Sequence, residues 1–257
     1  MKAGSISVSC SKKKRHPGGM SFLFVPTDIG ALVFSSAKAV FAGHRKSQLL
    51  LPGIYRIIVS FLRKREKIVM YKQCNSEVTA KRQRQLENCL LELMQVNTYQ
   101  KIAVGDICKL AGVPRGMFYR YFDSKQDALY ALIDHTLLAF ITDVIFLRKN
   151  DTEDMFGMEA ILAYWKSQQP LLEALTHNGQ EALLLERSII YCMEDTNLLA
   201  PYLAKAGQPT EPEVIAFCIN GVISTILIWH RSGYAKSTEE MAAILRKLLT
   251  GPLVMSV

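Results

Sequence analysis

From Ser76 onward, apolar residues recur at three- and four-residue spacing along the chain. Leu86, Cys89, Leu90, Leu93 and Met94 form one stripe and predict a helix from about Thr79 to Asn97, with Ser76 and Thr79 both suited to its N-cap. A short helix is predicted over Val104–Ala111, with Ile107, Leu110 and Ala111 as its apolar face. Gly112 sits where a helix ends at positive φ, Val113 fills the space between two helices, and Pro114 suits a helix start. Arg115–Phe122 is the next predicted helix; Phe118 and Phe122 face inward, and Arg115, Tyr119 and Arg120 project elsewhere. A long helix follows from Ser124 to about Asn150, with Leu129, Leu132, Ile133, Leu137, Phe140, Ile141, Val144 and Ile145 on its buried side.

After a polar break at Asp151–Asp154, helices are predicted at Met155–Ser167, Pro170–Thr176 and Glu181–Met193, with a shorter one at Pro201–Ala206. Another begins within Pro209–Pro212 and runs to Arg231 before Gly233. The last spans Thr238–Leu249, with Ser237 and Glu240 in capping-box spacing. No alternating strand pattern and no fixed repeat is present, so the fold class is all-α.

Val214–Trp229 is apolar on nearly every face, which demands burial on most faces. Gly221 and Ser224 allow another helix to approach closely. With Ile223, Leu227 and, from the amphipathic Met241–Leu249 helix, Leu245, they are read as half of a four-helix dimer interface. A purely intramolecular core is the alternative.

Residues 1–69 do not share this periodicity. They carry 13 of the 31 basic residues and only 2 of the 23 acidic ones, whereas residues 126–257 carry 9 basic and 16 acidic. The net charge of +8 therefore comes from the opening segment and says little about nucleic-acid binding. Its apolar runs, Phe22–Ala42 and Leu49–Leu62, are broken by Pro and charged residues, unlike a membrane span of roughly 20 apolar residues. The interruption and the lack of a small-residue cleavage site also argue against a signal peptide. Arg65-Glu66 can be encoded AGG GAG, three codons before Met70, like a bacterial ribosome-binding site. Natural initiation is therefore expected at Met70, with 1–69 a basic, disordered extension or upstream sequence read in frame. A genuine basic arm is the alternative, and the codons at 65–66 separate the two.

The 257 residues have globular composition, 49% hydrophobic and 21% charged, which excludes collagen-like, mucin-like and wholly disordered proteins. The six cysteines are widely spaced without CxxC; Cys89, Cys108 and Cys218 read as buried free thiols, consistent with a reducing cytoplasm.

Two short helices joined by a tight glycine turn make a helix-turn-helix, whose second helix fits the DNA major groove. At Ile107, Ala111-Gly112-Val113, Gly116, Phe118-Tyr119, Tyr121-Phe122, Ser124-Lys125 and Leu129 the sequence resembles the TetR family of bacterial transcriptional regulators. The resemblance covers about Thr79–Ala139. It implies a helix-turn-helix DNA-binding domain over 76–139, followed by an effector-binding and dimerisation domain over 140–257. It also implies that Arg115, Gly116, Met117, Tyr119 and Arg120 form the recognition surface, with Val104 beside it. Thr79, Arg82 and Lys125 would contact the DNA backbone, and Tyr119 a phosphate or thymine methyl. Arg115 and Arg120 can each make two hydrogen bonds to guanine. Pro114 and Met117 stand where the family often carries hydroxyl residues, which removes two phosphate hydrogen bonds.

His135, Phe140, Tyr164, Trp165 and Tyr191 are candidates to line an effector pocket, as are His177 and Met193. No histidine ligand spacing, nucleotide-binding loop or nucleophile elbow is present, so no metal, cofactor or catalytic role is expected. The expectation is a cytoplasmic homodimeric regulator that binds a pseudo-palindromic double-stranded operator as a repressor and is released by an unknown small-molecule effector, without membrane partners. A helical interaction protein keeping the helix-turn-helix as scaffold is the competing reading, and specific operator binding discriminates between them.

Overall fold

The computed structural model describes residues 71–142, 157–193 and 210–250, with gaps at 73 and 75 and the isolated positions 203, 204 and 207. Several expectations lie outside these residues: the extension 1–69 and the start at Met70, the helix beyond 142 with Val144 and Ile145, the break at 151–154, and most of Pro201–Ala206.

Among the described residues every regular element is helical. In chain order they are α1 (Glu77–Val96), a 3-10 turn (Tyr99–Lys101), α2 (Val104–Ala111), α3 (Arg115–Phe118) and α4 (Lys125–Phe140). They continue with α5 (Met158–Ser167), α6 (Gln169–His177), α7 (Glu181–Met193), α8 (Pro212–Arg231) and α9 (Thr238–Thr250).

Local chemistry sets the starts. Ser76, not Thr79, caps α1: its hydroxyl accepts from the Thr79 N–H at 3.3 Å, and the Thr79 hydroxyl accepts from the Ser76 N–H at 3.1 Å. The same reciprocal box opens α4 through Ser124 and Asp127 (3.2 and 3.0 Å) and α9 through Ser237 and Glu240 (3.2 and 2.7 Å). Gly112 ends α2 at φ 65°, and the Val113 N–H reaches back to the Cys108 carbonyl at 3.0 Å. This left-handed residue lets α2 turn sharply into α3.

Two sequence expectations change here. The recognition helix is shorter than Arg115–Phe122: regular α structure stops at Phe118, and i→i+3 hydrogen bonds from Arg120 to Met117 and from Tyr121 to Phe118 tighten the rest into a turn. On α2, Leu110 is about half exposed, and Cys108 takes its place in the core beside Ile107 and Ala111. The helix is rotated by roughly one position from the expected face.

α1, α2 and α3 enclose Leu86, Leu90, Met94, Ile107, Phe118 and Phe122, all fully buried. α4 packs on α1 and also on α7, so it is buried nearly all round: Ala128, Leu129, Ala131, Leu132, Ile133, Asp134, Leu137 and Phe140 are all inside. At its centre Asp134 accepts two hydrogen bonds from Arg187 of α7, at Nε and Nη2, both 2.6 Å. The guanidinium also faces the Tyr130 and Tyr191 rings. Burial opposes its charge, but the Asp134 carboxylate more than offsets this and holds the Arg187 pKa above its ordinary value.

Cys74, Cys89, Cys108, Cys192 and Cys218 are all buried free thiols, as expected for Cys89, Cys108 and Cys218. Burial pushes the Cys192 thiol up to about 12.

Asp134→Ala leaves Arg187 charged, buried and unpaired. It is expected to cost about 3–5 kcal/mol, measured by urea unfolding followed by far-UV circular dichroism. A loss below about 1 kcal/mol, as for an ordinary surface pair, would contradict this account.

Candidate nucleic-acid interface

The turn at Gly112 presents α3 on the surface while Phe118 and Phe122 anchor it from below. Phe118 packs on Phe122 with ring centroids 5.2 Å apart, and Tyr121 is buried beside them. Arg115, Gly116, Tyr119 and Arg120 are exposed on this element. A Cβ built on Gly116 would meet nothing within 4 Å, so its backbone is open to close approach by another molecule. The Arg115 guanidinium lies over Gly105 of α2, where an added Cβ would stand 3.1 Å from Nη2. Tyr119 is about half exposed, its ring edge-on to Phe118, while its carbonyl accepts from Lys72 Nζ at 2.9 Å. Lys72 also pairs with Asp123 at 2.6 Å, and its N–H donates to the Tyr121 carbonyl, so the segment before α1 braces the end of α3.

The remaining sequence-predicted residues divide. Arg82 is exposed on the second turn of α1, with Gln85 as its neighbour at 3.1 Å. Met117 and Val104 are half-buried and pack against the core. The Thr79 hydroxyl donates to the Ser76 carbonyl at 2.8 Å and serves the cap.

Lys125 departs most from expectation. Its ammonium is turned inward to the carbonyls of Tyr99 (2.6 Å), Ile102 (2.7 Å) and Gln100 (3.4 Å), and sits 4.3 Å over the Tyr99 ring. Burial draws its pKa below the ordinary lysine value. An ammonium has three N–H donors, and here three carbonyls of the segment before α2 lie within reach of them.

The effector-pocket candidates are only partly brought together. Phe140, Tyr164 and Trp165 form one aromatic cluster with centroids 5.3–5.8 Å apart. Trp165 is fully buried, and its Nε1–H has no hydrogen-bond partner among the described residues. His135 instead pairs through Nδ1 with the buried Glu87 carboxylate at 3.0 Å and faces Tyr71. Tyr191 lies against Arg187. His177 is exposed in the last turn of α6, and Met193 is partly buried at the end of α7.

Of the expected dimer residues, Ile223, Leu227 and Leu245 are buried within the subunit. Gly221 is exposed with open space over its Cα, and Ser224 is half-buried. α8 turns its other face outward, with Phe217 at 65% and Ile228 at 63% exposure, and α9 exposes Ile244 and Leu248. Sequence reading named Gly221 and Ser224 of this face but grouped them with the buried Ile223 and Leu227 and left out Phe217 and Ile228, because α8 is apolar on most sides and periodicity cannot say which one the subunit covers.

Sequence reading also missed Lys72 and Gly105. Lys72 carries no motif. Gly105 has a recognisable signal, a glycine inside a short helix directly before the turn.

An α-helix held at the surface by a glycine turn and buried aromatics is the architecture of a helix-turn-helix DNA-binding protein. Residues 91–132 match the family model for bacterial regulatory proteins, tetR family. The fold is shared with two solved structures. One is the fatty acid degradation regulator FadR from Bacillus halodurans (TM-score 0.54, 16% identity, 71% of this chain and 98% of that one). The other is a TetR-family transcriptional regulator from Syntrophomonas wolfei str. Goettingen, described there as putative (TM-score 0.54, 19% identity, 69% of this chain and 98% of that one). No curated protein matches the chain significantly. The helix-turn-helix segment is thus similar to that of the TetR-family transcriptional regulators, within an all-helical fold.

Lys125→Met is expected to lower the melting temperature and leave the salt dependence of DNA binding unchanged. A slope of log K against log salt smaller by about 1 would instead make Lys125 a phosphate contact.

Proposed function

We propose that the chain is a sequence-specific repressor that binds a pseudo-palindromic operator as a cytoplasmic homodimer and is released by a small-molecule effector. The exposed Arg115–Gly116–Tyr119–Arg120 surface carries this reading. It combines two guanidinium groups, a bare backbone and an aromatic hydroxyl on a helix braced by buried Phe118 and Phe122. Arginine reads guanine O6 and N7 in the major groove, and the open backbone at Gly116 allows the close approach this needs. Arg82 adds a phosphate contact from α1. Domain boundaries at 76–139 and 140–257 fit this division of labour, with α4 running across the junction.

The outward face of α8 supports dimerisation. Phe217, Gly221, Ser224 and Ile228 recur at three- and four-residue spacing, and Ile244 and Leu248 of α9 continue the exposed apolar surface. α8 is long and apolar enough to cross a membrane by composition alone. However, Ile215, Ile219, Ile223 and Ile226 are buried within the subunit, where α8 packs on α7, so half of it is committed to the core. A second copy covering the other half forms a four-helix interface. Two-fold symmetry then places the recognition helices in half-sites about 34–36 Å apart, or a multiple of that.

The Phe140–Tyr164–Trp165 cluster, with the unpartnered Trp165 Nε1–H, suits an apolar effector that carries a hydrogen-bond acceptor. Such a ligand releases DNA only to the extent that it binds the non-matching conformation more tightly. The reading involves no catalytic step, metal or cofactor.

Fluorescence anisotropy of the full chain on its own gene's upstream DNA, against a scrambled duplex at equal salt, tests the reading. A preference of ~10³-fold or more is expected; equal affinity for both, and for duplexes selected from a random pool, would favour a helical interaction protein. Arg115→Ala should cost about 1–3 kcal/mol and relax preference at one base pair. A loss uniform across sequences would make Arg115 a phosphate contact. Ile228→Glu should yield monomers of unchanged helicity in multi-angle light scattering, and persistence of a dimer would place the interface elsewhere. Ile223→Glu, inside the subunit core, should instead lower stability.

A further inference from the structure

The helix-turn-helix meets the C-terminal helices at Tyr99, which is held from both sides. Its N–H donates to Oδ1 of Asn178, the buried residue that closes α6. The Asn178 amide donates to the Met94 carbonyl at the end of α1 (3.1 Å) and to Ala174 of its own helix (2.7 Å). One side chain of α6 therefore satisfies a carbonyl in the last turn of α1 and the first N–H of the following 3-10 turn.

From the other side, the Tyr99 carbonyl accepts from Lys125 Nζ at 2.6 Å, and the same ammonium holds the Ile102 carbonyl at 2.7 Å. The Tyr99 ring lies beneath Lys125 and is buried near Tyr130 and Asp127 of α4; burial foremost, then those two groups, push its phenol up to about 12. Ile102 leads directly into α2, where the Asp106 carboxylate accepts from the Ala103 N–H at 2.8 Å. A shift of α6 that carries Asn178 must therefore break these hydrogen bonds or move Tyr99, Ile102 and the start of α2, and α3 follows α2 through the Gly112 turn.

We infer that Asn178 is the positioning residue through which displacement of α6 reaches the recognition helix, by way of the Tyr99 peptide and Lys125. The inference rests on the proposed DNA-binding function and specifies how that function is regulated. Coupling is reciprocal, so occupying the recognition helix must also be felt at α6, and no effector is needed to see it.

The probe is a duplex selected from a random-sequence pool by binding to the full chain, and the readout is amide hydrogen exchange with and without it. In the wild type the duplex should slow exchange at 115–122 and change it at 171–175 by about fivefold or more, the low end of ordinary coupling. Asn178→Ala should keep the first response and lose the second. Lys125→Met, which breaks the relay one step further on, should lose it too. Gln95→Ala removes the exposed link from α1 to the Pro170 carbonyl (2.6 Å) and should leave both responses intact. If Asn178→Ala does not fold, the opposite expectations for Lys125→Met and Gln95→Ala decide the matter. A duplex that protects 115–122 without any response at 171–175 in the wild type, or a response that survives Asn178→Ala or Lys125→Met, overturns the inference. Failure of any duplex to be enriched defeats the DNA-binding reading itself.

Discussion

The buried pair Asp134–Arg187 constrains more of this fold than any other contact. Two parallel hydrogen bonds fix both the rotation of α4 and its height against α7, because a fork-to-carboxylate geometry tolerates little of either. Apolar packing around α4 would accept several rotations, since the helix is apolar on most sides. A buried charge accepts only the one that pairs it. α4 also forms a wall of the helix-turn-helix core, so the orientation of the recognition helix relative to the C-terminal helices follows from this pair.

The same helix shows how one basic residue is held by the fold itself. Lys125 opens α4 with its cationic end toward a helix N-terminus, an unfavourable place for a positive charge. Three carbonyls of the loop before α2 and the Tyr99 face compensate it. Of the residues that the family resemblance implies at a DNA surface, Arg82, Arg115, Gly116, Tyr119 and Arg120 face solvent, while Thr79, Val104 and Lys125 are engaged within the fold. Glu87, buried between Arg84 and His135, is a second polar link inside the domain that no periodicity signals.

α8 illustrates the complementary case. Its apolar residues lie on two faces, with Ile215, Ile219, Ile223 and Ile226 inside the subunit and Phe217 and Ile228 exposed. Apolar residues stand on both faces, so composition announces a large hydrophobic surface without saying which side the neighbouring helices cover.

Sequence by itself determined the all-helical class, the start of α4 near Ser124, the capping box that opens α9, the left-handed turn at Gly112 and the inward anchors Phe118 and Phe122. These are legible because each depends on spacing within one helical turn or on the backbone preference of a single residue. Tertiary structure decided the length of α3, the outward turn of Leu110, the dispersal of His135 and Tyr191 from the Phe140–Tyr164–Trp165 cluster, and the roles of Lys125 and Asn178. Each depends on partners 23 to 84 residues away or on which side of a helix meets its neighbour. Local periodicity carries no information about such distant partners, because it records that a face is apolar and not what will cover it.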